Sequence, residues 1–267
     1  MHYAFFLIIG MMTGLLMAFF GIGGGAFIVP ALDVAFLAVP DLVHPPFQLI
    51  VIGSLCTIVI GSLPRAIRVL TVEKNERTIG KILILSALPF IVLASFVATQ
   101  LADKALRLGF SGTIFLIGLW TLLGKTHSDN FTATPLKPNI YKLISIGTIS
   151  GLSSALFGLG GATLLMPLLT MWVGLPIGIC VDISILFVSI TSIVSLATLS
   201  SAWIAVHGAE SINSTMLILI LILGLSAALS QNFATGRLVK MRDIIRRRLL
   251  GCYLIFLGIW VIARSSF

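Results

Sequence analysis

Two short stretches of this 267-residue chain have the residue types and spacing to do chemistry, and the chemistry is binding rather than bond-making. Phe20–Pro30 reads FGIGGGAFIVP and Phe157–Pro167 reads FGLGGATLLMP. Glycine inside a helix costs roughly 1 kcal/mol against alanine. Gly21, Gly23, Gly24 and Gly25 in the first stretch, and Gly158, Gly160 and Gly161 followed by Ala162 in the second, should therefore each stop a helix within apolar surroundings. A helix restarting after such a break presents unpaired N–H groups and the positive end of its dipole. That combination favours an anion, and glycine lets a ligand approach the backbone closely. Two hydroxyls, Ser54 and Ser184, stand at matched places further along. At about 100° per residue, Ser184, Thr191, Ser195 and Thr198 share one helix face. Such hydroxyls can donate to an anion, or bond to their own backbone or a neighbouring helix.

Catalytic constellations are not apparent. There are only four histidines, no HExxH-like or CxxC pattern, and no set of nucleophile, base and acid. Cys56, Cys180 and Cys252 are odd in number and far apart within apolar segments, so neither a disulfide framework nor a metal site is expected. Gly21-x-Gly23-x-x-Ala26 fits a dinucleotide pattern, but an apolar helix rather than a strand precedes it and the second copy lacks it. No cofactor is expected. The net charge of +8 is not read as nucleic-acid binding, because loops of membrane proteins collect Lys and Arg on one side.

The elements that must position these residues are membrane segments. Hydrophobic residues make up 58% of the chain and charged ones 10%, against about 25% charged in a soluble domain. Mean hydropathy is +1.14, and apolar runs recur near the roughly 20 residues that cross a bilayer. The N-terminal stretch lacks a basic start and a small-x-small cleavage site, and reads as the first membrane segment rather than a signal peptide. The fold class is an all-α polytopic membrane protein.

At a shift of 137, eleven of the 24 residues of Ile9–Leu32 are identical to Ile146–Leu169. At a shift of 140, FLIGLW (Phe115–Trp120) resembles IFLGIW (Ile255–Trp260). The chain therefore reads as an N-terminal membrane repeat at 1–124, a linker at 125–140 and a C-terminal repeat at 141–267. Segments are expected near 4–20, 26–39, 48–64, 80–100 and 107–124, and near 141–157, 162–174, 178–205, 212–234 and 247–264. Gly10/Gly14 and Gly147/Gly151 are matched GxxxG pairs suited to close helix packing.

If the glycines only kink a span, the basic loops 65–81 and 236–248 face opposite sides. If the chain breaks and reverses there, each half has five segments, the repeats are inverted, and fourteen of the seventeen Lys and Arg fall on one side. The positive-inside rule selects the second arrangement, with broken or re-entrant helices at the glycines and both termini outside the cell membrane. Lys104, Arg107 and Arg264 then lie outside, and Arg107 and Arg246–Arg248 read as anchors at the interface. Asp182 and Asp33 are the acids nearest the membrane interior, where an ionisable group is expensive. They are the candidates for a coupling role.

The paired GIGGGAFIVPAL and GLGGATLLMPLL resemble the signature of the TauE/SafE sulfite exporter family of membrane permeases. Further similarity lies in GSL (Gly53–Leu55) and LADKALRLGF (Leu101–Phe110). Two departures stand in the second half. Ala162 replaces Gly25, and Asp182-Ile183-Ser184 replaces Ile52-Gly53-Ser54. The resemblance implies outward transport of sulfite, an organosulfonate or a related small anion, with protons as a candidate coupling ion. With the bottom-up reading, it gives an alternating-access carrier holding one small anion at mid-membrane between two broken-helix tips. An anion channel of the same fold and a non-transporting assembly subunit are the alternatives. The expected partners are the anion and the lipid bilayer, with no nucleic acid. A homodimer is compatible with the class, but no residue marks its interface.

Overall fold

The computed structural model describes residues 2–20, 24–37, 45–69, 74–123, 139–175, 177–208, 214–234 and 243–265. Among the described residues ten helices follow one another: α1 (His2–Phe20), α2 (Gly25–Leu37), α3 (Phe47–Val69), α4 (Lys74–Gln100), α5 (Asp103–Leu123), α6 (Ile140–Phe157), α7 (Ala162–Leu168), α8 (Ile177–His207), α9 (Ser214–Ala234) and α10 (Asp243–Ser265). A π-helical turn, Leu169–Val173, continues α7. No strand occurs among the described residues. The chain is an all-helical polytopic membrane protein. The helices α3, α4, α5, α6 and α8 are each long and apolar enough to cross a bilayer. By contrast α2, with 13 residues, rises only about 20 Å, short of a hydrocarbon core of about 30 Å.

Of the basic stretches expected as loops at 65–81 and 236–248, the described residues 65–69, 74–81 and 243–248 are helical. α3 runs to Val69, α4 begins at Lys74, and α10 begins at Asp243. A membrane helix need not stop where its apolar run stops, because Lys and Arg at its ends reach the polar interface.

Packing runs mainly between the halves, and the contacts recur with the halves exchanged. α1 packs along α9, and α6 packs along α4. A Cβ on Gly10 would fall 2.6 Å from the Leu223 carbonyl, and one on Gly147 would fall 2.5 Å from the Leu83 carbonyl. Gly14 meets Ala227, and Gly151 meets Ala87. Leu83 and Ala87 lie 140 residues before Leu223 and Ala227, so each GxxxG face closes on the matched face of the other half. In the same way Gly118 of α5 abuts Gly251 and Ile255 of α10, while Gly258 abuts Ser111 and Phe115. Small residues let these backbones approach without hydrocarbon between them. α3 and α8 pack on each other in the interior. Large exposed apolar side chains, among them Leu85 and Phe96 of α4 and Leu225 and Leu229 of α9, face outward. In a bilayer that surface meets lipid.

Candidate functional site

The second glycine stretch is a helix break built on left-handed backbone. α6 ends at Gly158, whose φ is +66° and whose N–H donates to the Ser154 carbonyl at 3.0 Å. Gly160 follows at φ +64° and Gly161 at φ +78°, and Gly161 caps α7. An L-residue in that conformation costs roughly 1–2 kcal/mol, which is the local reason for glycine here. The helix restarts when Leu165 N–H donates to the Gly161 carbonyl at 3.0 Å, with Ala162 as its buried first residue. In the first stretch the Gly24 carbonyl accepts from Phe27 and Ile28 at 2.9 and 2.8 Å, starting α2. Gly21 and Gly23 lie outside the described residues.

The two stretches meet. A Cβ on Gly25 would lie 2.3 Å from Leu159 Cα and 2.4 Å from the Gly158 carbonyl oxygen. Backbone therefore lies on backbone where the first half touches the second. Ser54 reinforces the junction: its buried hydroxyl donates to Val51 O at 2.8 Å, with Gly158 O at 3.0 Å. Thr191 of α8 donates to Phe187 O at 2.7 Å, with Gly160 O at 3.3 Å. Ser54, Thr191 and Ser195 are completely buried, and Ser195 pairs with Ser154 at 3.2 Å. The hydroxyl face read from the sequence thus turns inward. Its far end, Thr198, contacts Ser95 of α4 at 2.8 Å. Ser184 is buried, and its hydroxyl has no hydrogen-bond partner. Asp182, two residues earlier, is partly buried.

Four features escaped the sequence. Ser150 of α6, Thr163 of α7 and Ser192 of α8 are fully buried around the second break, and their hydroxyls have no partner. Their signal was faint, since serine and threonine are frequent along these helices. The fourth is Arg107, expected to anchor at the interface. It instead lies in protein, its side chain 15% exposed and flanked by two carboxylates. Nη1 donates to Asp33 Oδ1 at 2.7 Å and Nε to Asp103 Oδ2 at 2.7 Å. The guanidinium sits 5.2 Å above the Phe47 ring, and the Phe47 N–H donates to Asp103. This node joins the far part of α2 to the starts of α3 and α5. A buried cation needs paired anions to offset lost hydration, and Asp33 and Asp103 supply them. Asp33 is therefore held in an ion pair about 12 Å along α2 from the glycines. Only the local part of the node left a trace in the sequence, since Asp103/Arg107 recurs as Asp243/Arg247 at the shift of 140.

No group of three or more His, Cys, Asp or Glu able to hold a metal occurs among the described residues. Among the described residues, what converges at the junction is neutral: hydroxyls, glycine backbone and apolar side chains such as Ile58, Phe187 and Val188. Such a lining offers hydrogen-bond donors without fixed countercharge, suited to holding a small polar solute loosely.

Comparison with known proteins agrees with this architecture. The family model described as Sulfite exporter TauE/SafE matches residues 6–263. A probable membrane transporter protein of Methanocaldococcus jannaschii is 30% identical over 202 residues, covering 73% of this chain and 72% of that one. The probable membrane transporter protein YunE of Bacillus subtilis is 23% identical over 283 aligned positions, covering 97% of this chain and all of YunE. No solved structure matches the chain.

Proposed function

The chain belongs to the sulfite exporter TauE/SafE family, a family of membrane transporters rather than enzymes, and on that premise we propose that it carries a small sulfur-containing oxyanion, such as sulfite or an organosulfonate, outward by alternating access. The observation that carries this reading is the contact of the two broken-helix tips, with Gly25 seated on Gly158–Leu159 and Ser54 bonded across to Gly158. Non-helical backbone at membrane depth persists only where protein buries it or a cavity lines it. Here it is buried against its own counterpart. The closed contact is what a carrier between its two open states requires, and parting the tips toward either side would open the interior to that side. Exchanged packing of the halves supports a two-fold relation between them, and the basic residues favour inverted repeats with both termini outside.

The bound anion would be held by neutral donors: backbone N–H groups at the breaks and nearby hydroxyls. A site without a cation binds an anion weakly enough to release it, as turnover demands. Asp182, close to Ser184 on α8, is the coupling candidate that remains once Asp33 is committed to Arg107.

Purified protein in liposomes should take up labelled sulfite down its gradient, with a faster rate under a proton gradient if protons couple. Binding of a protein partner without any sulfite flux would replace this reading with that of an assembly subunit, and voltage-driven flux that does not saturate would replace it with a channel. Single cysteines at positions 71 and 239 should react with an impermeant reagent from one and the same side. Reaction from opposite sides would rule out inversion.

A further inference from the structure

Among the described residues, most buried hydroxyls bond back to the preceding turn of their own helix. Thr57 donates to Gly53 O at 3.0 Å, Thr99 to Phe96 O at 2.8 Å, Ser189 to Ile185 O at 2.8 Å and Ser226 to Leu223 O at 3.0 Å. Ser150, Thr163 and Ser192 do not, although each is 0% exposed. An unsatisfied buried hydroxyl costs roughly 1–3 kcal/mol. Three of them on three successive elements around one pair of glycines call for an occupant.

Their surroundings are shared. Ser192 Oγ lies 3.2 Å from where a Cβ on Gly160 would stand, so it points at that glycine. The Ser150 carbonyl lies 3.0 Å from the same place on Gly161, and Thr163 follows Gly161 by two residues in α7. α6, α7 and α8 pack together there.

The first half has not kept this set. The positions matched to Ser150, Thr163 and Ser192 are Thr13, Ala26 and Ser62. Thr13 is bonded to Ile9 O at 2.7 Å, Ala26 has no hydroxyl, and only Ser62 is left with an unpartnered buried oxygen.

Resting on the oxyanion reading above, we infer that the anion is held on one side, by the hydroxyls of Ser150, Thr163 and Ser192 at the second break, while Gly25 of the first stretch packs on that break and the first half leaves only Ser62 of the matched hydroxyls unpartnered. The substrate class is a small oxyanion with at least three acceptor oxygens, one for each hydroxyl. The site is unequal even though the scaffold is duplicated.

The test is uptake of labelled sulfite by proteoliposomes, read as half-saturating concentration and maximal rate, with monodispersity in detergent as the check on folding. Ser150→Ala, Thr163→Val and Ser192→Ala should each raise the half-saturating concentration about tenfold, the loss of one hydrogen bond to a charged group. The matched first-half changes, Thr13→Val and Ser62→Ala, should alter it less than about twofold. Ser192→Thr keeps a hydroxyl and should retain most of the affinity, separating a binding role from a packing one. If wild-type protein carries no sulfite, the oxyanion reading fails and this inference with it. If wild-type protein carries sulfite but both sets of variants weaken it alike, the one-sided site is wrong and the oxyanion reading stands. If the second-half variants leave sulfite affinity intact but abolish a dependence on sodium, these oxygens hold a cation and the inference is overturned.

Discussion

α2 and the run from Ala162 through Val173 occupy matched places in the sequence repeat and are held in different ways. α2 stays α-helical for 13 residues after Gly24, and its Asp33 is tied to Arg107 of α5. The second copy is α-helical for seven residues and then loosens into a π turn. Where α2 has Asp33, the second copy has Thr170, whose hydroxyl donates only to its own helix, to Met166 O at 2.8 Å and Pro167 O at 3.2 Å. The breaks differ too. Gly25 admits the backbone of Leu159, whereas Ala162 carries a Cβ at the matched place. The two stretches match in sequence and in the packing of their frames. What differs is the division of labour: the first segment is fastened by charge, and the second lacks that tie and lies among unsatisfied hydroxyls.

The sharpest way to break this comparison is at the glycines. Gly161→Leu combines a left-handed penalty of about 1–2 kcal/mol with overpacking of about 1–3 kcal/mol against Phe187, whose Cε1 is 2.7 Å from the added carbon. Sulfite uptake should fall to background. Gly25→Ala should reduce it more than about tenfold, since a shift of 1.4 kcal/mol in a barrier already does so, whereas Ala162→Gly should leave it within about twofold. Equal effects at 25 and 162 would show that the two breaks are still equivalent.

Next comes the fastening. Arg107→Ala leaves Asp33 buried and unpaired by its cation, and should cost about 3–5 kcal/mol, read by thermal unfolding in detergent. The double change Arg107→Gln with Asp33→Asn should recover much of that loss, because neutral side chains can still hydrogen-bond. The frame is the control: Gly10→Ala and Gly147→Ala meet matched carbonyls at nearly equal distances, so each should destabilise by about 1–3 kcal/mol, and by similar amounts. Smallest is Thr170→Val, which removes only a hydroxyl bonded back to its own helix and should change stability by less than about 1 kcal/mol.

The sequence was most informative about where helices begin and break. Glycine clusters and apolar run lengths located the apolar ends of the helices to within a few residues but missed the polar extensions of α3 to Val69 and of α4 back to Lys74, and the GxxxG pairs pointed to faces that do pack closely. It was least informative about which way a helix faces. Segments such as α6 and α8 are apolar on all sides, so no amphipathic stripe distinguishes core from lipid. Ser145 and Ser150 look alike as letters, yet the first is exposed and bonded to Tyr141 O while the second is buried without a partner. The Asp33–Arg107 pair joins residues 74 apart, and single-sequence patterning carries no such long-range information. The π turn was hidden because the residues after Pro167 are ordinary helix formers.

The exchanged packing described for α1 and α9 has a consequence for how the molecule is made. The small-residue face of α1 is ready when the chain is barely begun, but its partner, around Leu223 and Ala227, is synthesised some two hundred residues later. At 5–20 residues per second the wait is on the order of ten to forty seconds. During translation the first helix is thus an unmatched tenant of the bilayer, and neither half should mature as an autonomous fragment. Co-expressed halves, by contrast, should find each other through the grooves each one leaves empty.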